Sequence, residues 1–360
     1  MKKNTCMAIL QPEVPHYREE FYGLLREHIQ QIDLFVYNSI KEVNKRGFCQ
    51  NERLVKHIPN FKIKGILFYN PFVLLNKKYD TLVLMLHFAH FTTWLLLITK
   101  FIHRKRIIVW GQGISIKRYI REEKKPHLLL KWMMTMADAA WLYMPKEVAL
   151  WKQIFPKKPI IALGNTIAGV KDIVNYQSLL SKAELKAKYG IREQRLFIYC
   201  ARFNTHLRRT DLLEQTIQGV DNQKIGFIII GDGPMKPDFT KYVNVYEFGA
   251  VYDINVKHDL FWMADAYYQP AWMGLSIVEA MAYGKPVCTF IRTEETKQGV
   301  EYDYISPNET GLLFSSVEEA ITRLSEISED RIIRMGQRAR ERIRTTATSE
   351  NMVGNAISVL

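Results

Sequence analysis

Short runs of apolar residues alternate with amphipathic stretches along nearly the whole chain. Apolar runs bounded by polar residues, glycine or proline predict buried strands, whereas apolar positions three and four residues apart predict helices that pack on one side. Tyr17, Phe21 and Leu24 show the helical spacing. Because the two patterns alternate, the chain is predicted to form strand–helix–strand units with parallel sheets, which is an α/β fold.

The apolar runs locate the predicted strands. In the first half these strands are Met7–Leu10, Leu34–Tyr37, Ile66–Phe68, Leu82–Leu86, Ile107–Trp110, Ala140–Tyr143 and Ile160–Leu163. In the second half they are Leu196–Cys200, Phe227–Ile230, Val245–Phe248, Ala266–Tyr268, Val287–Phe290 and Leu312–Phe314.

The stretch 82–99 is nearly all apolar and approaches the ~20 residues that a membrane-spanning helix needs. His87, His90 and the pair Thr92 and Thr93 interrupt it. We therefore expect a buried strand followed by an apolar helix rather than a membrane span.

Each half is predicted to be its own doubly wound domain, with the boundary in the polar segment between Asn165 and Arg195. This gives an N-terminal domain over 1–170, a C-terminal domain over 171–340, and a tail helix over 341–360 that packs back toward the N-terminal domain. Open parallel sheets bind ligands at the carboxyl ends of their strands. The residues that directly follow strands, facing a cleft between the domains, are therefore the candidates for a site.

The composition is that of an ordinary globular protein, and the cysteines and the N-terminal segment indicate its cellular compartment. The 360 residues are 48% hydrophobic and 24% charged, which excludes a disordered chain, a collagen-like repeat and a coiled coil. The four cysteines lack the spacing of a zinc site or a disulfide framework. The apolar run after Lys3 is too short for a signal peptide. We expect a cytoplasmic protein.

The net charge of +13 belongs to the first half. Residues 1–170 hold 27 Lys and Arg against 12 Asp and Glu, and the remainder holds 23 against 25. Basic residues crowd between Lys100 and Lys131, close to Phe101 and Trp132. This pattern indicates either a peripheral contact with an anionic membrane or a solvated basic face. Nucleic acid is disfavoured as a partner because no known binding module is present.

Three segments of the second half follow strands and could carry chemistry. The first is Gly231-Asp232-Gly233-Pro234, whose glycines allow backbone N–H groups to approach an anion. An ordinary strand-to-helix turn explains this segment equally well.

The second segment is 201–209, in which Arg202, Arg208 and Arg209 follow a strand and precede a helix that Thr210 or Asp211 could cap. Guanidinium groups beside a helix N-terminus make a diphosphate site. A solvated basic loop is the alternative interpretation.

The third segment, 269–287, is the most informative. Gly274 allows close backbone approach, and a helix is predicted to open near Leu275 with N–H groups directed at the site. Glu279 lies about one turn into that helix. A carboxylate there can accept hydrogen bonds from both hydroxyls of a ribose.

These segments, in this order, resemble the nucleotide-sugar half of GT-B glycosyltransferases, specifically the retaining family 4 group. The resemblance includes Ala280-Met281-Ala282-Tyr283-Gly284-Lys285-Pro286-Val287 and covers about 195–345 well. It implies two Rossmann-like domains facing a central cleft, with no bound metal and no cofactor beyond the nucleoside-diphosphate-sugar. It implies donor contacts from Arg202, Arg208, Gly231, Gly233, Pro234, Gly274, Leu275, Ser276 and Glu279.

Three departures from the family pattern affect the donor sugar and the acceptor. Ala271 stands where the family often has a glutamate, and position 201 is alanine rather than glycine. The usual N-terminal glycine pair is replaced by the segment from Gln11 to Pro15. A variant with Gly-Leu-Ser but without that glutamate is familiar among surface-polysaccharide transferases.

The first half offers fewer clear candidates. By the resemblance, His87 or His90 contacts the transferred sugar, although a packed or capping histidine is the commoner case. The acceptor-side candidates are Gln11, Tyr17, Arg18 and Gln112. Gly111-Gln112-Gly113 is half of a dinucleotide fingerprint, but Ile116 stands where a third glycine belongs, which excludes an NAD site.

The predicted function is transfer of a sugar, with retention, from a nucleoside-diphosphate-sugar to a glycan or lipid-linked glycan in cell-surface polysaccharide biosynthesis. The acceptor hydroxyl attacks from the face that the diphosphate leaves, and Arg202 and Arg208 stabilise the leaving charge. The alternatives are a GT-B nucleotide-sugar epimerase and a catalytically inactive basic binding protein.

Overall fold

A computed structural model describes residues 3–45 and 47–360. The chain forms two compact units. Unit 1 comprises the residues up to Ala168 together with Ser349–Leu360, and unit 2 comprises Gly169–Thr348.

Unit 1 is built on a parallel sheet of seven strands within the described residues, in the order β3-β2-β1-β6-β7-β8-β9. Its strands are β1 (Lys3–Gln11), β2 (Ile29–Val36), β3 (Val55–His57), β6 (Thr81–Met85), β7 (Arg106–Gly111), β8 (Ala139–Leu142) and β9 (Ile160–Ala162). A separate antiparallel hairpin pairs β4 (Asn60–Ile63) with β5 (Ile66–Tyr69).

The helices of unit 1 cover both faces of this sheet. They are α1 (Glu19–His28), α2 (Ile40–Lys45), α3 (Phe91–Ile98), α4 (Lys100–His103), α5 (Tyr119–Lys124), α6 (Leu128–Met136), α7 (Pro145–Ile154) and α15 (Ser349–Ile357). Met7 and Ile9 point into the core under α1 and α15, whereas Ala8 and Leu10 point into the core under α3 and α6. Successive residues of a strand face opposite sides, so β1 is buried on both faces and is apolar from Met7 to Leu10.

Two short strands near residue 60 differ from the prediction. Ile66–Phe68 lies in a strand, as predicted, but this strand pairs antiparallel with β4 in the β4–β5 hairpin and does not join the parallel sheet. Strand β3 was not predicted, since its three residues include Lys56 and His57, which are exposed at the sheet edge. Edge strands carry polar residues on their open side, so the apolar pattern does not find them.

Unit 2 is built on a parallel sheet of six strands among its described residues, in the order β12-β11-β10-β13-β14-β15. The strands are β10 (Arg195–Cys200), β11 (Ile225–Ile230), β12 (Val245–Glu247), β13 (Ala266–Tyr268), β14 (Val287–Phe290) and β15 (Gly311–Phe314). Each coincides with a predicted strand to within two residues at either end. Their apolar runs are bounded by clear polar or glycine positions, which explains the agreement.

The helices of unit 2 are α8 (Val170–Asn175), α9 (Lys182–Lys188), α10 (Thr210–Gly219), α11 (Ile254–Met263), α12 (Ser276–Ala282), α13 (Val317–Glu326) and α14 (Glu329–Thr346). Ser316 and Ser328 accept hydrogen bonds from the first turns of α13 and α14. Such caps satisfy N–H groups that the helix cannot. Residues 341–346 continue α14, and the last helix, α15, packs on α1 of unit 1.

The apolar stretch 82–99 contains the end of β6 and the whole of α3, as predicted. Across the described residues, no helix combines the length and the apolar character needed to cross a membrane.

Candidate functional site

Each sheet has one place where the strand order reverses. In unit 2 the chain proceeds outward from β10 to β12 on one side and from β13 to β15 on the other. In unit 1 the corresponding reversal lies between β1 and β6. The carboxyl ends of the two strands at such a point leave a crevice in which ligands bind, so these two places define the candidate site of each unit.

In unit 2 the loops after β10 and β11 are in close contact through their backbones. Phe203 N–H donates to the Asp232 carbonyl at 3.0 Å. A Cβ added to Gly231 would lie 2.1 Å from the Ala201 oxygen, and one added to Gly233 would lie 2.4 Å from the Phe203 oxygen. Packing by itself therefore explains why both positions are glycine. Donor contacts from Gly231, Gly233 and Pro234 stay a prediction.

The loop after β13 is held in place by a buried glutamine. The Gln298 amide donates to the Pro270 carbonyl at 3.1 Å and to the Thr289 hydroxyl at 3.0 Å, and its oxygen accepts from Met273 N–H at 3.3 Å. Sequence reasoning missed Gln298 because it lies about 25 residues away in a loop with no motif. It positions the backbone that leads to Gly274.

Arg208 brings the loops after β10 and β13 together. Its Nη1 lies 3.5 Å from the Trp272 carbonyl oxygen, and its Nε is buried with no hydrogen-bond partner among the described residues. A buried N–H without an acceptor is unfavourable unless a ligand or water supplies one. Arg208 is therefore placed to accept an anionic ligand at the crevice of unit 2.

The other two arginines of this loop differ from Arg208. Arg202 is exposed on the same loop. Arg209 forms an ion pair with Asp211 at 2.7 Å and itself occupies the N-cap position of α10 in the left-handed region, with φ 52°. The prediction that Thr210 or Asp211 caps this helix is wrong, because α10 already begins at Thr210, with Arg209 in the N-cap position and no side-chain cap bond.

Gly274 lies in open space at the start of α12. A Cβ added there would meet one atom within 4 Å, the Oε2 of Glu301 at 4.0 Å. Leu275 is the N-cap residue and α12 begins at Ser276, as predicted. The first N–H groups of a helix have no partner within it. Packing does not require a glycine here, which fits close approach by a ligand.

Glu279 forms an ion pair with Lys257 of α11, whose Nζ lies 2.5 Å from Oε1. Both side chains are largely buried, with 16% and 23% of their surface exposed. Burial alone lowers the pKa of Lys257, but the Glu279 carboxylate outweighs it and the pKa is raised. Sequence reasoning missed Lys257, since no motif surrounds it.

Cys200, at the end of β10, lies close to this ion pair. Burial, together with the negative charge of Glu279, raises the pKa of its thiol to about 12. The thiol is therefore neutral at physiological pH and is not an activated nucleophile.

In unit 1, Gln11 ends β1 at the crevice. Its side chain is buried, and its Nε2 has no acceptor among the described residues. Gln112 follows β7 and is half-buried. The flanking glycines pack internally: the Gly111 Cβ position lies 3.1 Å from Leu86, and the Gly113 carbonyl accepts from Trp151 at 2.8 Å.

His87 and His90 follow β6 and lie next to each other, with ring centroids 4.8 Å apart. His90 is buried beside Tyr37, and its Nδ1 has no partner in the part of the chain that the structure describes. Burial, reinforced by the charges of His87 and Lys62, lowers the pKa of His90 to about 3. His90 is therefore neutral and can take part only as a hydrogen-bonding group.

Arg18 and Tyr17 lie at the start of α1. The buried Arg18 guanidinium donates to the Asn165 side chain, to the Thr166 carbonyl at 3.3 Å and to the Met352 sulfur at 3.1 Å. Through these hydrogen bonds, Arg18 joins the start of α1 to the loop after β9 and to α15. Tyr17 packs edge-on against Phe48, with centroids 5.9 Å apart. Acceptor contacts from either residue stay a prediction.

No group of three or more His, Cys, Asp or Glu side chains that could hold a metal ion occurs in the described ranges 3–45 and 47–360. Metal independence stays a prediction.

Two Rossmann-like units, each with a crevice at the carboxyl edge of its sheet, define the class of the molecule: it has the GT-B fold, as predicted. Residues 194–330 match the family model described as glycosyl transferases group 1. The predicted resemblance to GT-B glycosyltransferases is thereby confirmed, and the matched segment contains Arg202, Arg208 and Glu279.

Solved structures match the chain along almost its whole length. Anabaena Alr3699/HepE in complex with UDP has a TM-score of 0.66 and 14% identity, covering 99% of this chain and 100% of its own. WaaG, a glycosyltransferase involved in lipopolysaccharide biosynthesis, has a TM-score of 0.58 and 14% identity, covering 96% and 98%. At these identities the likeness concerns the fold alone.

A candidate UDP-N-acetylglucosamine 2-epimerase from Listeria monocytogenes matches with a TM-score of 0.61 and 10% identity, covering 99% of this chain and 95% of its own. The fold therefore does not separate transferases from epimerases. No curated protein matches the chain by sequence.

Proposed function

We propose that the chain transfers a sugar, with retention, from a nucleoside-diphosphate-sugar to a glycan or lipid-linked glycan in cell-surface polysaccharide biosynthesis. The observation that carries the proposal is the contact between Arg208 and the loop that leads to Gly274, α12 and Glu279. These groups lie at the strand reversal of unit 2, inside the segment that matches the glycosyltransferase family.

Each group has a role in this proposal. Arg208 and Arg202 bind the diphosphate, together with the first N–H groups of α12 at Gly274, Leu275 and Ser276. The Oε1 of Glu279 is held by Lys257, which leaves Oε2 to accept from the ribose hydroxyls. The same cations stabilise the charge that develops on the leaving diphosphate.

Retention is proposed without a covalent sugar–enzyme intermediate. Cys200 is kept protonated, and retaining glycosidase chemistry needs two carboxylates on opposite sides of the bond that breaks. The acceptor hydroxyl instead attacks from the face that the diphosphate leaves, and a diphosphate oxygen takes its proton. Gln11, His87, His90 and Gln112 of unit 1 are the proposed contacts for sugar or acceptor.

An epimerase is the second candidate, because one protein with this fold carries that description. The family match over 194–330 favours the transferase. The two are separated by incubating the purified chain with a donor and no acceptor, after thermal-shift screening against UDP-, GDP-, ADP- and CMP-sugars has selected the donor. A transferase hydrolyses that donor slowly, whereas an epimerase converts its sugar. An absence of stabilisation by all four would favour an inactive binding protein.

The proposal includes association with an anionic membrane. The β4–β5 hairpin, α3, α4 and α6 form what we call the apolar–basic surface. Its exposed apolar side chains are Phe61, Ile63, Ile66, Phe91, Leu95, Ile98, Phe101, Ile102, Leu128 and Trp132. Its basic side chains include Lys62, Lys64, Lys100, Arg104 and Lys131.

These elements are joined to one another. Phe68 stacks on Phe61 at 5.0 Å and lies 4.9 Å from Phe91, which links the hairpin to α3. Helix α3 contacts both α4 and α6. Apolar patches beside basic residues favour an anionic bilayer, where each Lys or Arg near the surface contributes about 1 kcal/mol.

Replacement of both Phe101 and Ile102 by serine should abolish flotation with anionic liposomes at low salt. The two side chains are 77% and 67% exposed, so the fold should tolerate the change. Tyr252→Ser, at a 94% exposed position of unit 2, is the matched control and should float as the wild type does. An absence of wild-type flotation at low salt would remove the membrane from the proposal, and equal flotation of all three proteins would remove Phe101 and Ile102 from the membrane contact.

A further inference from the structure

A groove between α3 and α6 lies within the apolar–basic surface. It has a volume of about 500 Å³ and is lined by Trp94, Ile98, Leu129, Trp132, Thr135 and Met136. Pockets of this size hold small organic ligands.

The polar atoms of Trp94 and Thr135 in this lining are already used. The Trp94 indole N–H donates to the Phe88 carbonyl at 2.9 Å, and the Thr135 hydroxyl donates to the Lys131 carbonyl at 2.9 Å. A ligand in the groove therefore meets mainly aliphatic and aromatic carbon, together with the Trp132 indole and a threonine whose hydroxyl proton is already used. Such a lining favours a hydrocarbon chain over a sugar or a nucleotide.

At Thr135 and Met136 the groove adjoins a second cleft of different character. This cleft has a volume of about 620 Å³ and shares both residues with the groove. Lys100, Lys157 and Lys158 line it against one carboxylate, Asp138. Lys100 is paired with Asp138 at 2.7 Å, and Lys158 donates to the Thr135 and Ala137 carbonyls. The excess positive charge of the cleft therefore comes from Lys157 and from a Lys158 ammonium that is already partly hydrogen-bonded.

We propose that the groove and cleft together bind one molecule of an anionic phospholipid, with an acyl chain between α3 and α6 and the headgroup on Lys157 and Lys158. This inference deepens the membrane association proposed above and rests on it. What carries it is the direct continuity of an apolar groove with a cationic cleft, which matches the two ends of an amphiphile.

The position of the cleft makes this lipid an anchor and not the acceptor. Asp138 and Pro159 directly precede β8 and β9, so the lysines lie at the amino edge of the sheet. The candidate acceptor contacts Gln11, His87 and Gln112 follow their strands and lie at the carboxyl edge. A headgroup on Lys157 and Lys158 is therefore remote from the reacting groups of the proposed transferase.

Bromine-labelled lipid tests the site directly, because bromine quenches tryptophan fluorescence on contact and Trp94 and Trp132 line the groove. The probe is short-chain phosphatidylglycerol brominated in its acyl chains, kept below its micelle-forming concentration and titrated into the full chain. We expect saturable quenching, reduced in Trp132→Phe. Phosphatidylcholine with the same chains should bind more weakly.

Two pairs of variants separate the ends of the lipid. Leu129→Lys places a charge in the groove without lowering the positive charge of the surface and should weaken phosphatidylglycerol binding roughly tenfold or more. Its control, Leu128→Lys, alters an adjacent residue that is 57% exposed outside the groove lining and should bind normally. Lys157→Gln should reduce the preference for phosphatidylglycerol, whereas Lys131→Gln, outside the cleft, should not.

Several outcomes would overturn the inference. Equal quenching by both headgroups, or unchanged binding in Leu129→Lys, would show that no such site exists. A dimer in light scattering that Leu129→Lys converts to a monomer would show that a second copy of the chain fills the groove.

The inference and the proposed function fail separately. If the protein floated with vesicles but did not bind monomeric lipid saturably, membrane association would be supported and the lipid site in the groove would be rejected. Sugar transfer to a soluble acceptor should be the same in Leu129→Lys as in the wild type. If neither protein showed donor-dependent transfer, the proposed transferase activity would be rejected and the lipid site would not be affected.

Discussion

The crevices of the two units have the same topology but differ in how their candidate residues are used. At the crevice of unit 2, Arg208 keeps a buried Nε that has no partner within ranges 3–45 and 47–360, and Gly274 borders open space. At the crevice of unit 1, Arg18 is bonded inside the unit, and the glycines around Gln112 pack against other side chains. Unit 2 therefore keeps an unused arginine donor beside an open glycine, whereas the arginine and the glycines at the crevice of unit 1 are used internally. The unpartnered atoms of unit 1, among the described residues, include Gln11 Nε2 and His90 Nδ1.

Polar residues that follow a strand are therefore not equal evidence for a binding site. An arginine is evidence for ligand binding when it retains unused donors, and a glycine is evidence when no internal atom occupies its Cβ position. By these criteria Arg208 and Gly274 remain the candidates for donor contacts, whereas packing explains Gly231 and Gly233.

Replacement of Arg208 by alanine should have the largest effect. The loss of one preorganised cation at a leaving group lowers kcat by about 100- to 1,000-fold. Arg209→Ala is the matched control, since Arg209 is occupied by Asp211, and its kcat should stay near that of the wild type. Steady-state kinetics with a saturating donor checks this. Equal losses in the two variants would mean that the loop as a whole, and not Arg208, matters.

Glu279→Gln should weaken donor binding by about 1–3 kcal/mol, because a neutral amide accepts more weakly from two ribose hydroxyls. The variant also breaks the ion pair with Lys257, so Lys257→Gln is the control. That change removes the pair but keeps the carboxylate. Calorimetry should find a large loss of donor affinity for Glu279→Gln and a small one for Lys257→Gln. Similar losses would assign Glu279 to structure alone.

Gly274→Ala should leave the melting temperature unchanged and weaken donor binding by about 1–2 kcal/mol, because its Cβ enters space that the diphosphate needs. Gly231→Ala should do the opposite and destabilise the fold, since its Cβ would lie 2.1 Å from the Ala201 oxygen. Thermal unfolding and donor titration of both variants check the contrast. Donor affinity unaffected in a folded Gly274→Ala would remove that glycine from the site.

His90 provides a smaller, pH-dependent test of unit 1. Its pKa in the folded protein, about 3, lies below the ordinary value of 6.5, so the unfolded chain binds the extra proton between these values. His90 therefore lowers the free energy of unfolding as the pH falls below 6.5, by up to about 1.4 kcal/mol per pH unit. In His90→Gln this decline should be shallower by that amount in denaturant titrations at pH 4–6. An unchanged slope would show that His90 titrates normally.

Most of the fold could be predicted from the chain because its strands are buried on both faces. A continuous apolar run such as Phe227–Ile230, placed between amphipathic stretches, predicts a buried strand of a parallel sheet. Strands β3 and β4 could not be found in this way, whereas β5 was predicted as a strand but not as part of a hairpin. All of β4 is exposed, Lys56 and His57 of β3 are exposed, and both strands are too short to show a periodicity.

The candidate site was predictable where one contiguous motif carries it, as at Gly274–Glu279. Lys257 and Gln298 could not be predicted, since each reaches the site from a distant loop or helix and depends on the packing of unit 2. The role of Arg209 could not be predicted either, because the sequence does not show that Arg209, and not Arg208, pairs with Asp211.

A crystal structure of the chain with a nucleoside diphosphate bound would test the proposed donor site most directly. We predict the diphosphate within hydrogen-bonding distance of Arg208 and of the N–H groups at the start of α12, and the ribose hydroxyls on Glu279. A nucleotide bound anywhere else on unit 2, with Arg208 and Glu279 making no contact to it, would contradict the proposed donor site.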